Sequence, residues 1–209
     1  MSRENPVALF LCGLACTAKS TTLHTIAKKH KVNVLFNDYY ELSQQHPEFL
    51  KKHEDPGIQV LYTINQTIKS IVTKPTVFDR SPLSDFLYSL IYDEQDQAGA
   101  GTEKLKRKLN WKLFTETCVQ FKTAYVIIGD DDLQARQDIL HKMKTRNNGI
   151  DTISENYIVA QQKIFKLISE NIPNYTALIK PKHIPIHTQE YYKWLEEKVE
   201  NFLRENHII

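Results

Sequence analysis

The sequence predicts an α/β fold, a five-stranded parallel sheet with helices on both faces and a small helical lid. Three observations lead there. Val7 to Cys12 is a continuous apolar run, the pattern of a strand buried on both faces of a parallel sheet. Short apolar runs then alternate with longer helical patterns, which implies strand–helix–strand units joined by right-handed crossovers. Finally, Gly13, Asp38, Asp79 and Gly129-Asp130 each follow an expected strand. Open α/β sheets bind their ligands beyond those strand ends.

The elements follow in order. After the first strand, Thr21 to Lys29 reads as a helix, with Leu23, Ile26 and Ala27 on one side and lysines at its end, where they complement the helix dipole. Val32 to Phe36 is a second short strand. Glu41–Lys52 and Ile58–Val72 have helical patterns, separated by the breaker Asp55-Pro56-Gly57. Thr76 to Phe78 is a third strand. Pro82, suited to a first helical turn, opens a helix that runs to about Tyr92. Polar residues with two glycines follow, then a helix over Glu103–Gln120. Thr123 to Gly129 is the fourth strand, and Leu133 to Thr145 a basic helix ended by Asn147-Asn148-Gly149. Ser154 is suited to cap a helix running to Ser169. The fifth strand is expected at His183–Ile186, weakened by Pro185, before a closing helix over Thr188–Glu205.

Composition narrows the function. The 209 residues suit a single domain spanning 1–209, with a lid region at about 134–155. A hydrophobic content of 41% supports a real core. The formal net charge of +2 is too small for polymeric nucleic acid as the main partner. The three cysteines, Cys12, Cys16 and Cys118, form no CxxC or metal-ligand spacing, which fits a reducing, cytoplasmic setting. The first apolar run is too short to cross a bilayer, so no membrane partner is expected.

The sharpest motif spans Gly13-Leu14-Ala15-Cys16-Thr17-Ala18-Lys19-Ser20-Thr21. Its spacing is GxxxxGK[ST] with Ala18 in place of the second glycine. A tight loop after a strand turns backbone N–H groups inward as an anion nest, and the following helix adds its positive end. Lys19 can reach β- and γ-phosphates, and Ser20 can hold magnesium. Cys16 reads as a small filler in this loop. Ala18 departs from the pattern: glycine tolerates unusual torsions and close approach, while alanine suits the opening of a helix. Weaker or altered nucleotide binding is the expectation.

Asp79-Arg80-Ser81 follows the third strand, about sixty residues after the loop. A carboxylate there can hold magnesium or take a proton from an attacking hydroxyl. Arg80 can bridge phosphates through its planar fork. With Ser84 and Tyr88 following, the segment resembles the thymidylate kinase and deoxynucleoside kinase branch of the nucleoside monophosphate kinase-like P-loop fold. Thymidylate kinases carry Asp-Arg-Tyr at this point and deoxynucleoside kinases Glu-Arg-Ser. The resemblance covers about residues 7–205 and implies ATP with Mg2+ as cofactor. It also implies a small nucleoside or nucleotide acceptor, and leaves a homodimer open.

The same resemblance places a lid at Lys142 to Asp151. Lys142 and Arg146 are four apart and can share a helical face, from which they would neutralise a transferring phosphoryl group. A solvated basic face is the alternative. For the acceptor pocket, Asp38 lies where the family has a glutamate. It can be a base, a ribose contact or a helix cap. Gln59 matches a glutamine that reads the base, Gln66 replaces an arginine of thymidylate kinases, and Tyr39 and Tyr62 can stack on a base. Ser84 completes the acceptor set.

The resemblance thus implies ATP-dependent transfer to a deoxynucleoside monophosphate. A deoxynucleoside 5′-hydroxyl is the alternative acceptor, and a non-catalytic nucleotide-binding regulator the alternative class. A GTPase would need an Asn-Lys-x-Asp element after the fourth strand, and the chain has none there.

Overall fold

The structure is a computed structural model, and it describes residues 8–36, 75–80, 87–88, 90–92, 94, 112, 122–127, 133–146, 151–172 and 175–209. Its strands are β1 (Ala8–Gly13), β2 (Asn33–Phe36), β3 (Thr76–Asp79), β4 (Lys122–Ile127) and β5 (Tyr175–Ile179). Four helices are bounded within the described residues: α1 (Lys19–His30), α2 (Leu133–Arg146), α3 (Glu155–Asn171) and α4 (Gln189–Glu205). Leu87, Tyr88, Leu90, Ile91, Tyr92, Glu94 and Lys112 are also helical. The expected helices at 41–52 and 58–72 lie outside the described residues.

Among the described residues the four strand pairings are all parallel, in the order β2-β3-β1-β4-β5. The first strand is therefore central, which explains its unbroken apolar sequence: Leu9, Phe10 and Leu11 are buried whichever face they point to. Register brings Leu11 opposite Asp79 and Gly13 opposite Val126. The C-terminal ends of β1 and β3 thus open side by side. Parallel strands place every such end on one edge, which is why a loop at Gly13 and a carboxylate at Asp79 meet despite their separation in sequence.

The core gathers Leu9, Phe10 and Phe78 from the sheet with Leu23 and Ile26 of α1, Ile158, Phe165 and Ile168 of α3, and Leu195, Val199 and Leu203 of α4. The Phe10 and Phe78 rings lie 5.1 Å apart on adjacent strands, within the range of favourable aromatic pairs. α1 packs beside α4, and α2 beside α3.

One expected strand is misplaced. His183–Ile186 forms turns, and the fifth strand is Tyr175–Ile179. Pro185 has no N–H to give a ladder, whereas Tyr175-Thr-Ala-Leu-Ile alternates enough to pair with β4 from Thr123 to Ile127. Ile184 and Ile186 are still buried, so their apolarity serves packing. Helix boundaries follow their caps. The Ser154 hydroxyl accepts the Tyr157 N–H at 3.1 Å, and Thr188 accepts that of Tyr191 at 3.2 Å.

Candidate functional site

Between β1 and α1 the chain makes a tight loop through Leu14, Ala15, Cys16, Thr17 and Ala18. Gly13 has φ 140°, Cys16 φ 53° and Ala18 φ 62°. Glycine reaches such torsions without a Cβ clash, but Cys16 and Ala18 each pay about 1–2 kcal/mol in the left-handed region. Ala18 is thus not a helical first residue. It occupies the α1 N-cap position with no side-chain cap hydrogen bond, and its left-handed torsions are those the missing glycine would take freely. This corrects the expectation that alanine merely suits a helix opening here.

Lys19 lies at the start of α1 and is only 5% exposed. Its Nζ donates to the Leu14 carbonyl at 2.5 Å and to Thr17 Oγ1 at 3.3 Å, while Thr17 Oγ1 donates to the same carbonyl at 2.8 Å. Burial, with the nearby Arg80 cation adding to it, lowers the Lys19 pKa to about 8, and Asp79 opposes the shift. The ammonium is thus folded back onto its own loop, where its burial disfavours the charge.

Ser20 Oγ donates to Asp79 Oδ2 across 59 residues. Asp79 is 7% exposed, and its other oxygen, Oδ1, is buried without a hydrogen-bond partner. A buried carboxylate oxygen left unsatisfied is costly and calls for a ligand. Together with the Ser20 hydroxyl it supplies hard oxygen donors of the kind magnesium takes, one or two from protein with the rest from phosphate and water. Among the described residues no group of three or more His, Cys, Asp or Glu side chains could hold a metal alone. Thr21 is exposed on the first turn of α1.

Arg80 follows at φ 78°, its N–H donating to the Leu11 carbonyl at 3.0 Å. Its guanidinium donates to the Tyr88 hydroxyl and lies 4.9 Å from that ring's centroid. Burial pushes the Tyr88 phenol up to about 12, against the pull of Arg80. Arg146, the last residue of α2, pairs with Asp151. The charges that bear on the Cys16 thiol are those of Arg146, Asp151, Lys19 and Arg80, which gathers the loop, the β3 end and the Arg146–Asp151 pair around one point. Burial raises the pKa of that thiol, consistent with a filler rather than a reactive thiolate. Lys142 is exposed and acts instead on His187.

Three residues escaped the sequence reading. Gln161 of α3 is fully buried, and its Oε1 accepts the Ala15 N–H at 3.0 Å. Tyr191 of α4 is fully buried and its hydroxyl donates to the Thr17 carbonyl at 3.0 Å. His187, at φ 65°, stands beside Cys16 with its Nδ1 3.2 Å from the Tyr192 hydroxyl. Burial first, then Lys142, lowers its pKa. Gln161 left a signal: it interrupts an apolar helical stripe of Tyr157, Ile164, Phe165 and Ile168. Asp38, Tyr39, Gln59, Tyr62, Gln66 and Ser84 lie outside the described residues.

No protein-family model matches the chain. It is 29% identical over 170 residues to an uncharacterised 33.9 kDa protein in the PE 3′ region of Lymantria dispar multicapsid nuclear polyhedrosis virus. That match takes in 78% of this chain and 53% of the viral protein, so the chain spans about half the length of the curated relative it matches. Solved structures resemble it in fold. A deoxyadenosine kinase from M. mycoides, with dCMP and dCDP bound, superimposes with a TM-score of 0.63 at 13% identity, over 94% of this chain and 100% of its own. Thymidylate kinase from Candida albicans gives 0.62 at 12% identity, over 98% and 93%. Shikimate kinase from Acinetobacter baumannii gives 0.56 at 12%, over 97% and 96%. The chain therefore has the α/β fold of P-loop kinases.

Proposed function

We propose that this protein is a kinase that transfers the γ-phosphoryl group of ATP, with Mg2+, to a small acceptor. The acceptor favoured is a deoxynucleoside monophosphate, as in thymidylate kinases, and the alternative is the 5′-hydroxyl of a deoxynucleoside. The observation that carries the reading is the junction of loop and strand end: Lys19 folded against the loop, and Ser20 joined to Asp79 with Oδ1 left unpartnered. The fold itself admits other acceptors, as the shikimate kinase neighbour illustrates, so the side chains must decide. The nucleoside and nucleotide kinases among the neighbours favour a nucleoside-type acceptor.

In this reading the loop amides from Cys16 to Thr21, with the positive end of α1, cradle the phosphates. Lys19 exchanges the Leu14 carbonyl for phosphate oxygens. Ser20 and Asp79 would hold Mg2+, which would offset the negative charge of the phosphates. Arg80 leans from the strand end toward the transferring group, and Arg146 and Lys142 approach from α2. For Arg80 and Arg146 this means exchanging Tyr88 and Asp151 for phosphate, so ligand binding and lid rearrangement are one event. Asp38, Tyr39, Gln59, Tyr62, Gln66 and Ser84 are the candidate acceptor contacts, with Asp38 or Asp79 to receive the proton where the acceptor is a hydroxyl.

A second reading, a nucleotide-binding regulator that does not turn over, is favoured by the left-handed alanine at 18. A screen separates the two. MgATP is incubated with nucleosides and nucleoside monophosphates, thymidine and dTMP among them, and products are detected directly. A kinase yields a phosphorylated deoxynucleoside or deoxynucleotide, and Lys19→Ala abolishes it. Binding of MgATP without any product would favour the regulator. Full activity in Lys19→Ala would refute the site.

A further inference from the structure

The phosphate loop is held from behind by two side chains far away in sequence. Gln161 Oε1 accepts the Ala15 N–H at 3.0 Å, and the Tyr191 hydroxyl donates to the Thr17 carbonyl at 3.0 Å. Both side chains are fully buried, and they come from different helices, α3 and α4. Between their attachment points lies Cys16 at φ 53°, and one residue beyond lies Ala18 at φ 62°. Non-glycine residues persist in such torsions only where the surrounding structure over-determines them.

The orientation of Gln161 is fixed by chemistry. Ala15 offers a donor, so the side-chain oxygen must face it, and Nε2 is left buried without a hydrogen-bond partner. A buried amide satisfied at one end is unfavourable as packing alone. Leucine or methionine would fill the stripe between Tyr157 and Phe165 without that cost. The cost is offset only if the bond to Ala15 matters. Tyr191 tells the same story: burial pushes its phenol pKa up, so it stays a neutral donor to the Thr17 carbonyl.

We propose that Gln161 and Tyr191 are positioning residues that lock the phosphate loop in its anion-binding shape, and that the lock compensates for alanine in place of glycine at position 18. The proposal rests on the phosphate-loop reading above. It deepens that reading by tying the loop's competence to α3, the helix that follows the lid segment, and to α4.

The test is a rescue experiment. Gln161→Met and Tyr191→Phe remove the two bonds while keeping volume, and Tyr191→Phe, which deletes a single oxygen, serves alone should the first not fold. Ala18→Gly is made in the parent and in each variant. Two quantities are read: amide hydrogen exchange of residues 14–19 in ligand-free protein, and MgATP affinity. Each bond removed should speed loop exchange and weaken MgATP by about three- to tenfold, the range for one intramolecular hydrogen bond. Ala18→Gly should restore most of that loss in the variants while improving the parent far less, a non-additive cycle. Unchanged exchange in Tyr191→Phe, or an Ala18→Gly effect equal in every background, would overturn the proposal. Should the parent bind no MgATP while exchange behaves as stated, the lock stands and the phosphoryl-transfer reading falls.

Discussion

At Lys19, burial works against charge. The group's pKa falls from 10.5 to about 8, so the folded chain releases this proton earlier than the unfolded chain. Below pH 8 both states carry the charge, and the folded state bears the full cost of burying it. As pH rises from about 8 toward 10.5, the unfolded state binds more protons, and stability from this group rises. A phosphate beside Nζ reverses the balance by restoring the ammonium. MgATP binding should therefore take up a proton above pH 8, and affinity should fall by up to about tenfold per pH unit there. Calorimetry at pH 8.5 in two buffers of different ionisation enthalpy reads that uptake directly, and none would mean that Lys19 does not meet the anion. Ala18 makes a second prediction at this scale. Ala18→Gly relieves about 1–2 kcal/mol of left-handed strain while adding about 0.4–1 kcal/mol of unfolded-state entropy. The net is a stabilisation between zero and about 1.6 kcal/mol, seen as a higher denaturant midpoint at unchanged slope. The sequence showed the substitution but not its torsion, because alanine is equally at home in a helix.

Among the elements, α1 depends on α4. Glu200 accepts hydrogen bonds from Lys29 at 2.7 Å, His30 at 2.8 Å and Arg204 at 3.0 Å, and Lys29 also reaches Glu196 at 3.1 Å. These bonds, that of Lys29 foremost, lower the Glu200 pKa to about 2. A carboxylate depressed below its ordinary 4.5 contributes stability that is complete above pH 4.5 and lost as pH falls toward 2. Glu200→Gln should cost about 1–2 kcal/mol near neutral pH, with the gap to the parent closing between pH 4.5 and 2 in denaturant melts. A gap that persists at pH 2 would assign the effect to packing. The lysines Lys28 and Lys29 were legible as a helix end, and Ser154 as a cap, because both signals are local. Glu200 as their partner was not, since it lies 170 residues away from His30. The fifth strand failed for a related reason. Ile184 and Ile186 are as apolar as a strand requires, and besides Pro185, which denies a ladder its N–H, it is tertiary packing that sets them apart from Tyr175–Ile179.

For the whole molecule, the parallel order β2-β3-β1-β4-β5 does the positioning. It brings Gly13 and Asp79 to one edge, where the motif spacing alone had suggested they belong. Gly13 and Asp79 were therefore readable from one dimension, and Gln161, His187 and Tyr191, which reach the loop from later elements, were not. In the proposed reading this edge grips a nucleoside triphosphate through Lys19. Isothermal titration of the intact chain with MgATP, beside Lys19→Ala checked for the same fold by circular dichroism, tests it most directly. The parent should show one saturable site and the variant at least about a hundredfold weaker binding, as expected when a charge-assisted contact of about 3 kcal/mol is lost. No heat of binding in the parent at millimolar MgATP, or equal affinities in the two proteins, would contradict it.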